Sequence, residues 1–127
     1  MSNERSQTSF FRTYGGCFED LDQGIAVLSI DTKDYHLQHL GYVHGGVISS
    51  LADNTGWYAL ISNLPENKTS VTIEIKINYL KPAKEGKLKV IGKVLKLGKS
   101  VAFATVQLYS NDDLVAYALG TYAILTM

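Results

Sequence analysis

The sequence predicts an α+β fold in which one long central helix is wrapped by a curved antiparallel β-sheet. Three observations lead to this prediction. Apolar residues recur at helical spacing over 45–64, apolar and polar residues alternate over 71–79, and turns of two to four residues separate the later strands. Turns this short cannot join parallel strands. A helix this apolar needs cover on several sides, and a curved sheet is the economical way to provide it.

The composition is that of one globular domain covering residues 1–127. This length suffices for a single core, and 46% hydrophobic residues is an ordinary value. Twelve basic and twelve acidic residues leave no net charge to attract nucleic acid or an anionic membrane. The sequence shows no signal peptide and no apolar stretch of about 18 residues. We therefore expect a cytoplasmic protein without nucleic-acid or membrane partners.

Before the central helix, the sequence predicts one strand. Residues 6–13 give a weak helical signal, which two glycines end, whereas the run 24–30 is apolar and β-branched, as strands commonly are. Residues 31–42 are polar and loop-like. The helix is predicted over 45–64 because its apolar residues recur every three or four positions, and Pro65 lies just past its end.

Four strands are predicted after the helix. The first, 71–79, alternates between apolar and polar residues. The second, 86–97, begins in the same way, but Leu95 and Leu97 fall out of phase, which suggests a bulge near Gly92. Turns at 98–100 and 111–113 bound the last two strands, 101–109 and 114–125.

The segment His44-Gly45-Gly46, where the loop becomes the helix, carries the residues that suggest chemistry. Two glycines let a ligand or another backbone approach closely. The first N–H groups of a helix are unpaired and lie at the positive end of its dipole, so they can stabilise a carbonyl oxygen that gains negative charge. Asp53 lies two turns further on, in a helix otherwise short of charge. Its carboxylate is therefore the candidate base or nucleophile.

These motifs resemble those of the hotdog-fold acyl-CoA thioesterases of the PaaI type. The shared features are His-Gly-Gly with an acidic residue nine positions after the histidine, a strand-ending segment at 79–86 and a hairpin at 98–103. The likeness runs from about Phe10 to Ala123. It implies a hotdog fold and hydrolysis of an acyl-CoA thioester, with an aryl, medium-chain or long-chain acyl group, to a free acid and CoA. It implies no metal and no redox cofactor.

The resemblance also implies roles for single residues. The Gly45 backbone N–H would polarise the thioester carbonyl, Asp53 would activate water or attack directly, and Thr72 would help to orient the water. Gln38 stands where many relatives have Asn, so its share in positioning water is left open. His44 is expected to hold the loop by hydrogen bonding rather than to act as a base.

Substrate-binding residues are expected near this motif and on two later segments. Gly46 would allow close approach of the ligand, and Trp57 would line an acyl pocket or fill the core. Lysines could meet the phosphates of CoA through their charge or could form a solvated face. The residues expected to contact CoA are Lys84, Gly98, Lys99 and Ser100.

Two features argue against a metal site or a disulfide. The histidines at 36, 39 and 44 lie in a loop without a recognised metal-binding spacing. The single cysteine, Cys17, can form neither an intramolecular disulfide nor a thiolate zinc cage. We therefore expect no metal.

Helix geometry predicts that the active site is shared between subunits. Gly45 and Asp53 are eight residues apart, which is roughly 12 Å along a helix. An oxyanion donor lies about 3 Å from the carbonyl oxygen, and the attacking atom about 3–3.5 Å from the carbonyl carbon. Because these reaches together fall short of the span, we expect Gly45 of one subunit to work with Asp53 of its neighbour. The expected assembly is a homodimer that pairs into a homotetramer.

Two other functions stay open at the level of sequence. The departure at Gln38 keeps open a hotdog domain that binds acyl-CoA without hydrolysing it. The other is hydration or dehydration of an acyl thioester, for which relatives pair a histidine with a carboxylate in a different motif. Release of thiol from acyl-CoA, and its loss in Asp53→Ala, distinguishes thioester hydrolysis from both.

Overall fold

The computed structural model of the protein describes residues 15–127. The weak helical signal over 6–13 lies outside this range. The described residues form six strands, one long helix and one 3₁₀ turn: β1 (Cys17–Asp22), β2 (Ile25–Asp31), the 3₁₀ turn (Asp34–His36), α1 (Gly45–Ile61), β3 (Lys68–Tyr79), β4 (Lys87–Leu97), β5 (Val101–Ser110) and β6 (Asp113–Thr126).

The strands form one antiparallel sheet in the order β1-β2-β4-β5-β6-β3. Tight hairpins join β1 to β2, β4 to β5 and β5 to β6, whereas α1 lies in the long connection between β2 and β3. That connection carries the chain across the sheet, so β3 becomes an edge strand paired with β6. The predicted α+β fold, one long helix on an antiparallel sheet, is confirmed.

The core lies between α1 and one face of the sheet. Along β5, every second side chain is buried, as expected for a strand with one face against a helix. Burying each leucine or valine side chain contributes about 1.5–3 kcal/mol. The largest fully buried side chains in this layer are those of Tyr58, Leu28, Leu51, Leu88, Leu108, Val90, Val106 and Val115.

The helix ends at Ile61, three residues before the predicted end. Ser62 closes it: the Ser62 Oγ donates to the Ala59 carbonyl oxygen at 2.7 Å and accepts from the Gly24 N–H at 2.9 Å. Leu64 still packs against the core after the helix has ended. Its apolar character therefore extended the helical pattern beyond the true end.

Strand β1 was not predicted from the sequence. It contains Glu19, Asp20 and Asp22, which are unusual in a buried strand but common at a sheet edge, where charge discourages pairing with other chains. Of its six residues only Leu21 is buried. β1 contacts the rest of the sheet through β2 alone, so it lacks the apolar pattern of an inner strand.

The apolar alternation predicted for β3 is interrupted by a bulge at Ile73. Thr72 pairs with Tyr122 on β6, but Glu74 pairs with the preceding residue, Thr121, so the register skips Ile73. Val71 and Ile73 are 51% and 57% exposed. The apolar residues before and after the bulge therefore do not share one face.

The bulge predicted near Gly92 lies instead at Leu95, where the register of β4 with β5 shifts between Val94 and Lys96. Gly92 itself is regularly paired on both sides. Glycine is required at this position for another reason: a Cβ there would lie only 2.8 Å from the Thr55 carbonyl oxygen. Gly92 thus allows α1 to cross close to β4.

We expect Gly92→Ala to lower the free energy of unfolding by about 1–3 kcal/mol, because the added methyl group meets helix backbone rather than a side chain that can move. Urea denaturation would measure the change. Gly45→Ala is the control, since its added Cβ would lie 3.7 Å from Tyr79, an ordinary contact. Equal stability of the Gly92→Ala variant and the native chain would show that the helix does not crowd β4.

Candidate active site

Asp53 and Thr72 meet where α1 crosses the edge strand β3. The Thr72 Oγ1 donates a hydrogen bond of 2.7 Å to Asp53 Oδ1. Thr72 pairs with the buried Tyr122 on β6, so its side chain lies on the helix-facing side of the sheet. The Asp53 carboxylate is half-buried. The structure thus brings together the predicted carboxylate and the predicted hydroxyl group.

A second link joins the same two elements one helical turn further on. The Trp57 Nε1 donates to the Ser70 backbone oxygen at 2.8 Å. Asp53 and Trp57 are four residues apart and share one helix face, while Ser70 and Thr72 are two apart and share one strand face. Together the two links fix the spacing between α1 and β3.

A cavity of about 350 Å³ opens beside these links, within the range of small-molecule sites. Trp57 is half-buried and faces this cavity. Tyr58 is 1% exposed and packs edge-on against Phe18, so most of its side chain belongs to the core. The residues that line the cavity are Asp53, Asn54, Trp57, Tyr58, Ser70, Val71 and Thr72.

Tyr122 holds the helix turn that carries Asp53. Its hydroxyl donates to the Asp53 backbone oxygen at 3.1 Å, and its side chain is fully buried. Burial, and then the negative charge of Asp53, raise the pKa of Tyr122, which keeps the phenol protonated as a donor. A Cβ at Gly56 would overlap the Tyr122 hydroxyl. Sequence reasoning missed Tyr122, which is 69 residues from Asp53 and follows the ordinary apolar pattern of a strand.

At the other end of the site, His44 caps the helix. Its Nδ1 accepts from the Gly46 N–H at 2.8 Å, and its backbone oxygen accepts from the Val47 N–H at 2.9 Å. A Cβ at Gly46 would lie 3.1 Å from this Nδ1, so Gly46 allows the cap to form. In residues 15–127, the Gly45 N–H has no acceptor. Of the two glycines, Gly45 therefore carries the free donor, while contact of Gly46 with substrate stays a prediction.

Gly45 opens onto a second cavity, of about 390 Å³. The Tyr79 hydroxyl donates to the Gly45 backbone oxygen at 3.1 Å. Local structure does not require glycine here, since the backbone is helical and a Cβ would make only ordinary contacts. The absent side chain leaves room for a group from outside the chain. The other residues that line this cavity are Val43, Ile48, Tyr79, Leu80, Lys81, Pro82 and Ala83.

The two cavities share no lining residue within the described chain. Gly45 and Asp53 belong to one continuous helix, which keeps them roughly 12 Å apart along its axis. A single subunit therefore does not present both groups to one thioester carbonyl.

Gln38 is engaged with its own loop. Its Oε1 accepts from the Leu40 N–H at 2.5 Å and from the Tyr42 N–H at 3.2 Å. It lines neither the Asp53 cavity nor the Gly45 cavity. One chain does not bring Gln38 to Asp53, and its part in positioning water stays a prediction.

The segments predicted to contact CoA lie at opposite ends of β5. The Lys84 N–H donates to the Ser110 Oγ at 3.1 Å, at the end of the strand, and Lys84 lines a third cavity of about 400 Å³. Gly98, Lys99 and Ser100 form the turn before the strand begins. The ten residues of β5 span about 30 Å. One subunit therefore cannot bring Lys84 and Lys99 to the same phosphate.

The three histidines do not assemble. His36 is buried and its Nδ1 accepts from the Lys33 N–H at 2.9 Å; burial, followed by the charge of Lys33, lowers the pKa of His36. His39 is exposed, and the His44 Nδ1 is used by the helix cap. Across residues 15–127, no three His, Cys, Asp or Glu side chains are placed to hold a metal ion. In the same range no helix is long and apolar enough to cross a membrane.

Several known proteins are similar to this chain in sequence or in structure. A protein of Saccharolobus solfataricus named as an esterase is 37% identical, over 93% of this chain and 79% of its own length. Human acyl-coenzyme A thioesterase 13 is 31% identical, over 67% of this chain and 61% of its own. A conserved protein from Pseudomonas aeruginosa has a solved structure that matches with a TM-score of 0.92 and 28% identity, over 98% of this chain and 100% of its own.

A thioesterase family protein from Silicibacter pomeroyi matches with a TM-score of 0.91 and 25% identity, over 94% of this chain and 91% of its own. These structures confirm the predicted hotdog fold. The model of the thioesterase superfamily matches residues 40–117, a segment that includes Gly45, Asp53 and Thr72. The chain therefore belongs to the thioesterase superfamily.

Proposed function

We propose that the protein hydrolyses acyl-CoA thioesters to a free acid and CoA, in active sites that each use two subunits. One observation carries the proposal: the Asp53–Thr72 pair and the free Gly45 N–H are each exposed to a cavity, but to different cavities of one chain. Family membership and the identity to human acyl-coenzyme A thioesterase 13 support the reaction and the CoA carrier.

Strand β3 provides the surface through which two copies would pair. It lies at the sheet edge, and two of its apolar side chains, Val71 and Ile73, are more than half exposed. Such an edge is a template for pairing with another strand. β3 also carries both contacts with the site, since Thr72 binds Asp53 and Tyr79 binds Gly45.

Antiparallel pairing of β3 with β3 of a second subunit would bring the Asp53 cavity and the Gly45 cavity together. A two-fold axis at Lys76, with Ile73 skipped as it is in the pairing with β6, places Thr72 opposite the partner subunit's Tyr79. The Asp53 cavity of one subunit then lies beside the Gly45 cavity of the other, and the symmetry creates this site twice. Pairing of such dimers into a homotetramer stays a prediction.

In this site each residue has its own part in the hydrolysis. The thioester carbonyl oxygen accepts a hydrogen bond from the Gly45 N–H, which stabilises the negative charge formed on attack. The Asp53 carboxylate, oriented by Thr72, takes a proton from the water that attacks the carbonyl carbon. The tetrahedral intermediate expels CoA as a thiolate, which takes up a proton, and leaves the acid. Direct attack by Asp53 would instead give an acyl anhydride that water then hydrolyses.

A thiol-release assay with straight-chain and aryl acyl-CoA thioesters tests the proposal. Hydrolysis predicts release of CoA that depends on Asp53. Tight binding without release, unchanged in Asp53→Ala, would indicate a binding protein. Consumption of an enoyl-CoA without thiol release would indicate a hydratase.

We expect Ile73→Lys to convert the dimer into monomers and to lower kcat/KM about tenfold or more. Lysine on a strand edge opposes pairing, and both strands of the pair would carry it. Because the register with β6 skips Ile73, the change costs the subunit itself little. Sedimentation velocity measures assembly, and Ile73→Val is the matched control. A fully active monomer would contradict the shared site.

A further inference from the structure

Two residues that line the Asp53 cavity each carry a buried polar side-chain atom that has no hydrogen-bond partner within the described chain. These atoms are the Nδ2 of Asn54, on α1, and the Oγ of Ser70, on β3. Ser70 is only 5% exposed, and both residues line the cavity. Because an unpaired buried polar group is costly, such a pair in a substrate cavity indicates a ligand that satisfies it.

The cavity gives these atoms an otherwise apolar setting. Apart from the Asp53–Thr72 pair, its remaining side chains are those of Trp57, Tyr58 and Val71. The backbone oxygen of Ser70 is already bound by the Trp57 Nε1, which fixes the residue that carries the free hydroxyl. A hydrocarbon chain would fill the space but would leave both polar atoms unpaired.

The position of Ser70 sets where on the substrate its partner lies. Ser70 is two residues from Thr72, which corresponds to about 7 Å along a strand. A C–C bond of about 1.5 Å advances an extended chain by about 1.25 Å, so five to six bonds, the last of them the bond to the oxygen, cover that distance. A group bound at Ser70 therefore lies well beyond the carbonyl carbon that reacts near Asp53.

We propose that Asn54 and Ser70 recognise an oxygen atom on the acyl chain, so that the protein prefers acyl-CoA thioesters with a carbonyl or hydroxyl oxygen near the fifth carbon. The Asn54 amide would donate to this oxygen, and the Ser70 hydroxyl would donate or accept. A site built to hydrogen-bond a substrate oxygen rejects the analogue that lacks it, because the buried groups then stay unpaired. The inference rests on the proposed thioesterase function.

The test compares kcat/KM for 5-oxohexanoyl-CoA and hexanoyl-CoA. We expect the native protein to favour the oxo substrate about tenfold or more. Asn54→Leu and Ser70→Ala should each move this ratio towards one. Thr55→Val is the matched control, since the Thr55 hydroxyl is also buried and unpaired in the described residues but does not line the cavity. That variant should keep the native ratio.

The outcomes separate the inference from the proposed function. Equal rates on both substrates would overturn the inference and leave thioester hydrolysis intact. Release of thiol from no acyl-CoA would overturn the proposed function, and calorimetry with the non-hydrolysable 2-oxoalkyl analogues of both substrates would still measure the preference. Equal affinities there, or variants of Asn54 and Ser70 that gain stability without changing the ratio, would overturn the inference.

Discussion

Replacement of Asp53 by asparagine is expected to lower kcat for acyl-CoA hydrolysis about 10²–10⁴-fold. Asparagine has the same shape, and its amide oxygen can still accept the hydrogen bond that Thr72 donates to Asp53. It can neither take a proton from water nor attack the thioester as a carboxylate. The loss should therefore appear in kcat, with an unchanged unfolding temperature.

Thiol release under saturating acyl-CoA measures this effect. Asp113→Asn makes the same chemical change at the exposed start of β6, where the carboxylate forms an ion pair with Lys81 at 3.9 Å, and should keep full activity. Full activity of the Asp53→Asn variant would show that the carboxylate takes no part in the reaction.

Gly45→Pro is expected to lower kcat about 10²–10³-fold by deleting the oxyanion donor. Proline lacks the backbone N–H but is well tolerated at the first position of a helix, which Gly45 occupies. The preceding residue, His44, has φ −61° and ψ 136°, an extended conformation that suits a residue before proline. The change should thus remove the donor and preserve the helix.

Gly45→Ala is the matched control, because alanine keeps the N–H. Circular dichroism should show equal helix content in both variants, and the activity of Gly45→Ala should exceed that of Gly45→Pro about tenfold or more. Equal activity of the two variants would show that the N–H takes no part in the reaction.

Mixing Asp53→Asn with Gly45→Pro subunits tests whether the two residues act across the interface. In a mixed dimer, one site carries both defects and the other carries neither. Random exchange should therefore restore about a quarter of native activity. No recovery in mixed dimers of confirmed composition would show that both groups act within one chain.

The sequence predicted those parts of the molecule that rest on local patterns. Helix α1 and the inner strands have strong apolar periodicity, and the residues near Gly45 and Asp53 form a compact motif. Strand β1 was missed because its acidic residues suit a sheet edge. The phase of Leu95 and Leu97 predicts a bulge near Gly92, but this glycine instead allows two elements far apart in sequence to cross closely.

Contacts between distant segments could not be predicted in the same way. Tyr122 reaches Asp53 only because the register of β6 with β3 places it there. Asn54 and Ser70 have ordinary types for a helix and a strand, and only the cavity reveals their shared surroundings. The separation of Lys84 from Lys99 likewise follows from the length of β5, not from either motif.

The bulge residue Ile73 restricts the insertions and deletions that β3 can accept. Thr72 and Tyr79 are seven positions apart, an odd number, so a regular strand would point them to opposite faces. The bulge restores the phase, and both side chains reach the helix. A deletion or insertion between them would turn one of the two away. This short stretch should therefore resist any change in length.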